Sequence, residues 1–189
     1  MTGKRYDVAL RRLAPRARSE ACGKPEDLAA ALHAAGLPVP ERHNSSIDGE
    51  GQVRIDWLGP RRFVVDAPLE QEEAVGSALA AAFAGFASAD VVCVSDMVVT
   101  FEIAGAGAAD VLAQGTPLDI SSAAFAPASA TGTELWGVAV VVERPIADPA
   151  SLRVTVERSY AGYVEGWLRT AAGLGSDLKP GVMLAQPRR

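Results

Sequence analysis

Apolar residues alternate with polar ones over some stretches of the chain and recur every three to four positions over others. Val8 and Leu10 alternate with Asp7, Ala9 and Arg11, and Ala17, Ser19 and Ala21 with Arg16, Arg18 and Glu20. This period-two pattern on either side of Pro15 predicts two short strands whose basic residues line a solvated face. Pro25-Glu26-Asp27 opens a helix with proline at its first position and acids in its first turn. Leu28, Ala31, Leu32 and Ala35 form its apolar stripe, and Gly36 and Pro38 end it. Residues 39–52 read as a polar surface loop. Strands at 53–57 and 63–65 flank Gly59-Pro60. A helix then runs from Asp66 or Pro68 through Ala84, with Val75, Leu79, Ala82, Phe83 and Phe86 on one face.

Strands at 91–94 and 98–103 follow, joined by a Ser95-Asp96 turn. A short helix at 108–114 closes at Gly115, and 121–130 is a loop of small residues. Strands at 133–136 and 138–143 meet at Gly137, and the run Val138-Ala139-Val140-Val141-Val142 is apolar enough for burial on both faces. Leu152, Val154 and Val156 alternate with Arg153, Thr155 and Glu157, which predicts one solvated face. Ser159 caps a last helix whose stripe is Tyr160, Val164, Trp167, Leu168 and Ala171, with Gly173 as its stop. The order β-β-α, β-β-α, β-β-α, β-β-β-α predicts an α+β fold, with mixed or antiparallel sheets carrying helices on one face. One domain is expected over 1–174, or two subdomains meeting near 39–52, followed by a loose tail at 175–189. No sequence repeat is evident.

Composition changes this picture in one respect. The 189 residues are 49% hydrophobic and 22% charged, which is ordinary for a globular domain. No apolar run reaches membrane-spanning length, and no secretory leader is visible. Cys22 and Cys93 lie far apart without a CxxC and read as small buried hydrophobes in a reduced compartment, so a cytoplasmic location is expected. The net charge of −5 is unevenly spread: residues 1–24 carry seven basic and two acidic side chains, whereas 63–143 carry 11 carboxylates and no Lys, Arg or His. That middle stretch offers no clamp for a nucleic-acid backbone and no imidazole for general-base work. The chain has two histidines, His33 and His43. A self-sufficient catalyst, a nucleic-acid binder and a membrane protein are all disfavoured.

Candidate chemistry is sparse. Gly105-Ala106-Gly107-Ala108-Ala109-Asp110 follows a strand and opens a helix, but it is GxGxxD, and a tight strand-to-helix turn explains it better than a dinucleotide loop. Of Asp96, Glu102, Asp110 and Asp119, Glu102 and Asp110 fall at solvent-facing positions. Asp96 is the candidate cofactor contact, because a carboxylate at a strand start can hydrogen-bond an amine-bearing ring. Ser121, Ser122 and Ser129 have no histidine nearby, so no serine nucleophile is expected. His43 with Glu41 and Asp48 supplies too few ligands for a metal. Trp57, Trp136 and Trp167 fall at core-facing positions. No catalytic residue and no metal site are assigned.

Several stretches resemble the gamma subunit of heterotetrameric sarcosine oxidase. Leu37-Pro38, Asn44 and Trp57-Leu58-Gly59-Pro60 are similar to an LP…N…WLGP segment of that family. Val99 through Ile103, Gly105 and Ala109-Asp110-Val111-Leu112-Ala113-Gln114-Gly115-Thr116-Pro117-Leu118-Asp119 resemble its G-x-x-A-x-x-V-L-A-K-G-C-P-L-D-L segment. Phe125 and Pro127 before Thr133, and Arg158-Ser159-Tyr160-Ala161-Gly162-Tyr163 with Trp167-Leu168, complete the likeness. Arg61-Arg62-Phe63 stands where the family has D-E-W, Asp96 follows Ser95 where many relatives place histidine, and Thr116 replaces a common cysteine.

The resemblance implies a fold like the folate-binding domain of aminomethyltransferases, with no cofactor bound by this chain. It implies assembly with alpha, beta and delta subunits into a complex that oxidatively demethylates sarcosine, or a related N-methyl amine. The products would be glycine and hydrogen peroxide, with methylene-tetrahydrofolate or formaldehyde. FAD, FMN, NAD and tetrahydrofolate are implied for the complex, and FAD, FMN, NAD and zinc for its other chains. The role of this chain would be structural. The alternative is a stand-alone folate-binding protein related to aminomethyltransferases, but those are about twice this length, and the K-G-C-Y-x-G-Q-E segment that some carry is missing here. A folate cleft in this chain would use Asp96. The basic start and the base-free middle are expected to dock on different partner surfaces.

Overall fold

A computed structural model describes residues 5–121 and 123–175. The tail expected over 175–189 lies, beyond Gly175, outside the described residues. The elements are β1 (Ala9–Arg12), β2 (Ala17–Gly23), α1 (Pro25–Ala34), β3 (Ser45–Asp48), β4 (Arg54–Gly59), β5 (Arg62–Ala67), α2 (Glu72–Phe83), β6 (Ala89–Cys93), β7 (Val98–Ala104), α3 (Ala108–Leu112), β8 (Ser129–Leu135), β9 (Val138–Arg144), β10 (Ser151–Glu157) and α4 (Ala161–Ala171). The ten strands form one sheet in the order β1-β7-β10-β9-β8-β3-β4-β5-β2-β6. Every neighbouring pair is antiparallel.

The pattern of alternation located nine of these strands. The tenth, β3, falls in the expected loop. Ser45-Ser46-Ile47-Asp48 has one apolar residue and no alternation to read. Its neighbours hold it extended: it pairs along its length with β4 and at Ser45↔Ser129 with β8. Ser159 also departs from expectation. It sits inside a 3₁₀ turn at Arg158–Tyr160, Tyr160 takes the cap position, and no side chain caps α4.

The β3–β8 contact divides the sheet into two five-stranded halves. The first half, with α1 and α2, encloses a core of Leu28, Leu32, Ile55, Phe63, Val65, Leu79 and Phe83. The second, with α3 and α4, encloses Phe101, Ile103, Leu112, Leu135, Leu152, Val154, Val164 and Leu168. The topology repeats: β2-α1-β3-β4-β5-α2 corresponds to β7-α3-β8-β9-β10-α4. The outer strand is β6 in the first half and the N-terminal β1 in the second. The seam is reciprocal. Ser46 N–H donates to Ala128 O at 2.8 Å, and Ala130 N–H donates to Asn44 O at 3.3 Å. Asn44 and Ala128 take the same left-handed backbone, at φ 57° and 66°. The segment at 39–52 lies with the first core, on which Val39 and Ile47 pack.

All four helices cover one face of the sheet. The other face carries the charges. Alternation puts Ala17, Ile55, Val65, Phe101, Val142 and Val154 toward the helices, and Arg18, Arg54, Asp56, Asp66, Glu102, Glu143 and Thr155 away from them. That far face is not solvated, as the alternation had suggested. The sheet curls so that the far faces of the two halves meet, and Arg18, Glu102, Glu143 and Thr155 are buried. The reverse holds for Cys22 and Cys93, which are exposed free thiols and not small core residues.

Two glycines are required by close approach. Gly105, at φ 124°, would place a Cβ 2.5 Å from Asp7 O, because the chain entering β1 crosses it. Gly107 N–H donates to the same carbonyl, so the GxG pattern serves this crossing. At Gly115 a Cβ would lie 2.3 Å from the Trp136 ring. Trp136 and Gly137 form the two-residue turn between β8 and β9, both with positive φ. Trp136 is held there by its own N–H to Gly115 O, by the Tyr163 hydroxyl donating to its carbonyl, and by stacking on Trp167 at 5.9 Å. Gly115→Ala is therefore expected to displace Trp136 and cost about 1–3 kcal/mol. Chemical denaturation measures that loss, and a changed tryptophan near-ultraviolet dichroism would report the broken stack.

Candidate arginine-lined crevice

A crevice of about 70 Å³ opens where the far faces of the two halves meet. The end of β1, the β1–β2 connection, β2, β4, β5, the start of β7 with the turn before it, β9, β10 and the turn after β10 line it, contributing Arg12, Arg16, Arg18, Arg54, Arg153 and Arg158 against Asp66 and Glu143. Charged residues reach it because strand alternation sends every second side chain to this face, and the curl then encloses them.

The deepest part is a network of buried charges. Arg54 Nε donates to Asp56 Oδ1 at 3.0 Å, and its Nη2 donates to Ser46 Oγ at 3.3 Å and lies 3.8 Å from Glu143 Oε2. Arg18 Nη1 donates to Thr155 Oγ1 at 3.3 Å and lies 3.7 Å from Asp66 Oδ2, while its Nη2 is 3.6 Å from Glu143 Oε1. Arg18 and Arg54 come from the first half, and Glu143 and Thr155 from the second. Ser95 fixes Arg18 from behind by accepting its backbone N–H at 2.8 Å.

Burial and the Glu143 charge push Asp56 up to about 8, against the pull of Arg54 and Arg18. Burial acts against the Glu143 charge too, but Arg54, Arg18 and a hydrogen bond from Asp56 outweigh it and hold Glu143 below its ordinary value. The pair thus carries one proton at neutral pH, on the Asp56 side. Burial raises Asp66, opposed by Arg18 and Arg16. At the rim, Arg16 donates to Asp66 Oδ1 and, at 2.8 Å, to Gln52 O. Glu102 takes Arg11 at 2.5 Å and Arg153 at 3.5 Å.

The residues singled out in the sequence fall around this site more than in it. Asp96 lies in the turn beside the crevice with a fully exposed carboxylate. Its carbonyl accepts Arg158 Nε at 2.6 Å, and its Oδ1 is 4.0 Å from Arg158 Nη2. Glu102 is buried and paired, contrary to the solvent-facing position expected of it. Asp110, Asp119 and His33 are exposed. His43 stands against Trp57 at 4.1 Å between rings. Arg11 and Arg16, from the basic start, pair with Glu102 and Asp66 of the base-free middle. Arg18, Arg54, Asp56, Asp66 and Glu143 were not recognised from sequence. Their signal was charges of both signs flanking Ile55 and following the apolar runs 63–65 and 138–142. Among the described residues, no group of three or more His, Cys, Asp or Glu could hold a metal ion.

Two outcomes follow from this network. Arg18→Met leaves Glu143 and Asp66 short of a cation and is expected to destabilise the fold by about 3–5 kcal/mol in urea unfolding. Asp56 binds its proton far more tightly folded than unfolded, so its contribution falls as pH rises from about 4 to about 8. Asp56→Asn, which mimics the protonated form, should flatten that decline when melting temperature is followed from pH 5 to pH 8. A decline as steep as in the wild type would contradict the assignment.

The sequence profile of the sarcosine oxidase gamma subunit family matches residues 19–173. Among solved structures, a chain of the heterotetrameric sarcosine oxidase from Corynebacterium sp. U-96 superposes with a TM-score of 0.78 at 25% identity, over 91% of this chain and 87% of that one. Aminomethyltransferase T of the glycine cleavage system from Bartonella henselae superposes with a TM-score of 0.67 at 16% identity, over 89% of this chain and 50% of that one. This second likeness is one of fold, and the chain spans about half of that protein. No curated protein matches in sequence. The family profile spans both halves of the sheet and three of the six crevice arginines, and the chain belongs to the sarcosine oxidase gamma subunit family.

Proposed function

We propose that this chain is the gamma subunit of a heterotetrameric complex that oxidatively demethylates sarcosine, or a related N-methyl amine. The observation that carries this reading is the end-to-end match to a chain of a heterotetrameric sarcosine oxidase, over 91% of this chain and 87% of the other. Its partners are then alpha, beta and delta subunits, and the products glycine and hydrogen peroxide, with methylene-tetrahydrofolate or formaldehyde. Nothing in the structure favours the stand-alone folate-binding alternative, and the chain covers only half of the aminomethyltransferase it resembles.

The role of this chain is architectural. Pockets for cofactor-sized ligands span roughly 300–1,000 Å³ with largely apolar walls. The charged 70 Å³ crevice does not fit a flavin, a dinucleotide or a pterin. A broader depression of about 510 Å³ at Cys22, Arg61 and Asp90 is shallow and open. In this reading FAD, FMN, NAD and tetrahydrofolate serve the complex, with FAD, FMN, NAD and zinc held by its other chains. Free, exposed thiols fit a reducing compartment, which supports a cytoplasmic complex. Among the described residues no helix is long and apolar enough to cross a membrane.

Co-expression of the tagged chain with the products of neighbouring genes, followed by native mass spectrometry and an absorption spectrum, tests the reading. A yellow assembly of four different chains that consumes oxygen with sarcosine is the expected result. A colourless chain that elutes alone would overturn it.

A further inference from the structure

We propose that the arginine-lined crevice binds a small free oxyanion of the phosphate or carboxylate class. This inference stands on the geometry of the crevice and not on the subunit reading.

The first observation is a surplus of guanidinium groups. Asp66 engages Arg16, Asp56 engages Arg54, and Glu102 engages Arg11 and Arg153. The Arg12 side chain lines the crevice with no hydrogen-bond or ion-pair partner among the described residues. Arg158 donates Nε to a backbone carbonyl, which leaves its positive charge with an exposed carboxylate 4.0 Å away.

The second observation is an unmet donor deep in the site. Arg18 is 4% exposed, and its Nη2 is buried without a hydrogen-bond partner, with Glu143 Oε1 at 3.6 Å. Arg153 Nε, also in the lining, is likewise buried without a hydrogen bond, with Glu102 Oε1 at 3.5 Å. Buried charged donors left unbonded are costly, and a guanidinium fork matches a carboxylate or phosphate edge. Glu143 and Asp66 also face the crevice and anchor Arg18, so an anion must approach from the side of Arg12 and Arg158.

The third observation is size. About 70 Å³ exceeds the roughly 10–15 Å³ needed by one water and falls far short of a drug-sized pocket. An ion with one oxyanion head fits this range, and a chain segment does not.

The test titrates inorganic phosphate, and separately acetate, into the full chain by calorimetry, with chloride as the control at matched ionic strength. One saturable site per chain for either oxyanion is expected. The double variant Arg12→Gln, Arg158→Gln changes two exposed side chains and should keep the fold, checked by its melting temperature. It should weaken binding by about tenfold or more. Arg169→Gln, whose partner is Glu165 on α4, should bind as the wild type does. No saturation beyond the chloride control, or undiminished binding in the double variant, would overturn the proposal. So would phosphate binding that disappears when the chain is assembled with its partner subunits, because an acidic group of a partner would then occupy the crevice.

Discussion

The interaction on which the rest of this structure depends is the pairing of Arg18 and Arg54 with Glu143 inside the curled sheet. The two halves have separate hydrophobic cores and are joined in the sheet by one short contact, Ser45 with Ser129. Apolar packing holds each half together but does not dictate how their far faces meet. Ion pairs are directional, and these cross from β2 and β4 to β9. Burial raises Asp56 while Arg54 and Arg18 hold Glu143 low, so a proton on Asp56 lets the two carboxyl groups and two guanidinium groups coexist away from water. Such a network need not add net stability, but breaking one member leaves a buried charge without compensation.

The uneven charge of the sequence acquires a meaning in this arrangement. Basic residues collect before Lys24, and carboxylates dominate between Phe63 and Glu143. The first group supplies Arg11, Arg16 and Arg18, and the second supplies Asp66, Glu102 and Glu143 as their partners. Much of the imbalance along the chain is thus cancelled within the fold. The chain as a whole stays net negative, yet the crevice keeps a local surplus of guanidinium groups.

Most elements were legible because their physical causes are local. The stripe of α1, its proline start and the positive-φ Gly36 behind it are all visible in a dozen residues. The helices on one face followed from the order of strands and helices. The unseen features are set by partners remote in sequence. β3 is extended because β4 and β8 flank it. Gly115 is small because Trp136 lies over it. Alternation divides a strand into two faces, but it cannot tell whether the polar face meets water or another polar face. That ambiguity hid the whole network, and it placed Glu102 and Thr155 in solvent when the curl encloses them. Asp96 drew attention as a carboxylate at a strand start, whereas its neighbour Ser95 makes the buried contact with Arg18.

The N-terminal strand also has a consequence for synthesis. β1 is made first, yet it pairs with β7, the opening strand of the second half. The first half draws its strands and helices from Ala17 to Cys93 and has its own hydrophobic core. β1 has no hydrogen-bonding partner until Phe101 through Ala104 have followed. At roughly 5–20 residues per second, the stretch from Cys93 to Ala104 takes about 0.5–2 seconds. β1 therefore stays an unpaired, arginine-rich strand while the whole first half is synthesised, and its docking comes only after β7 has formed.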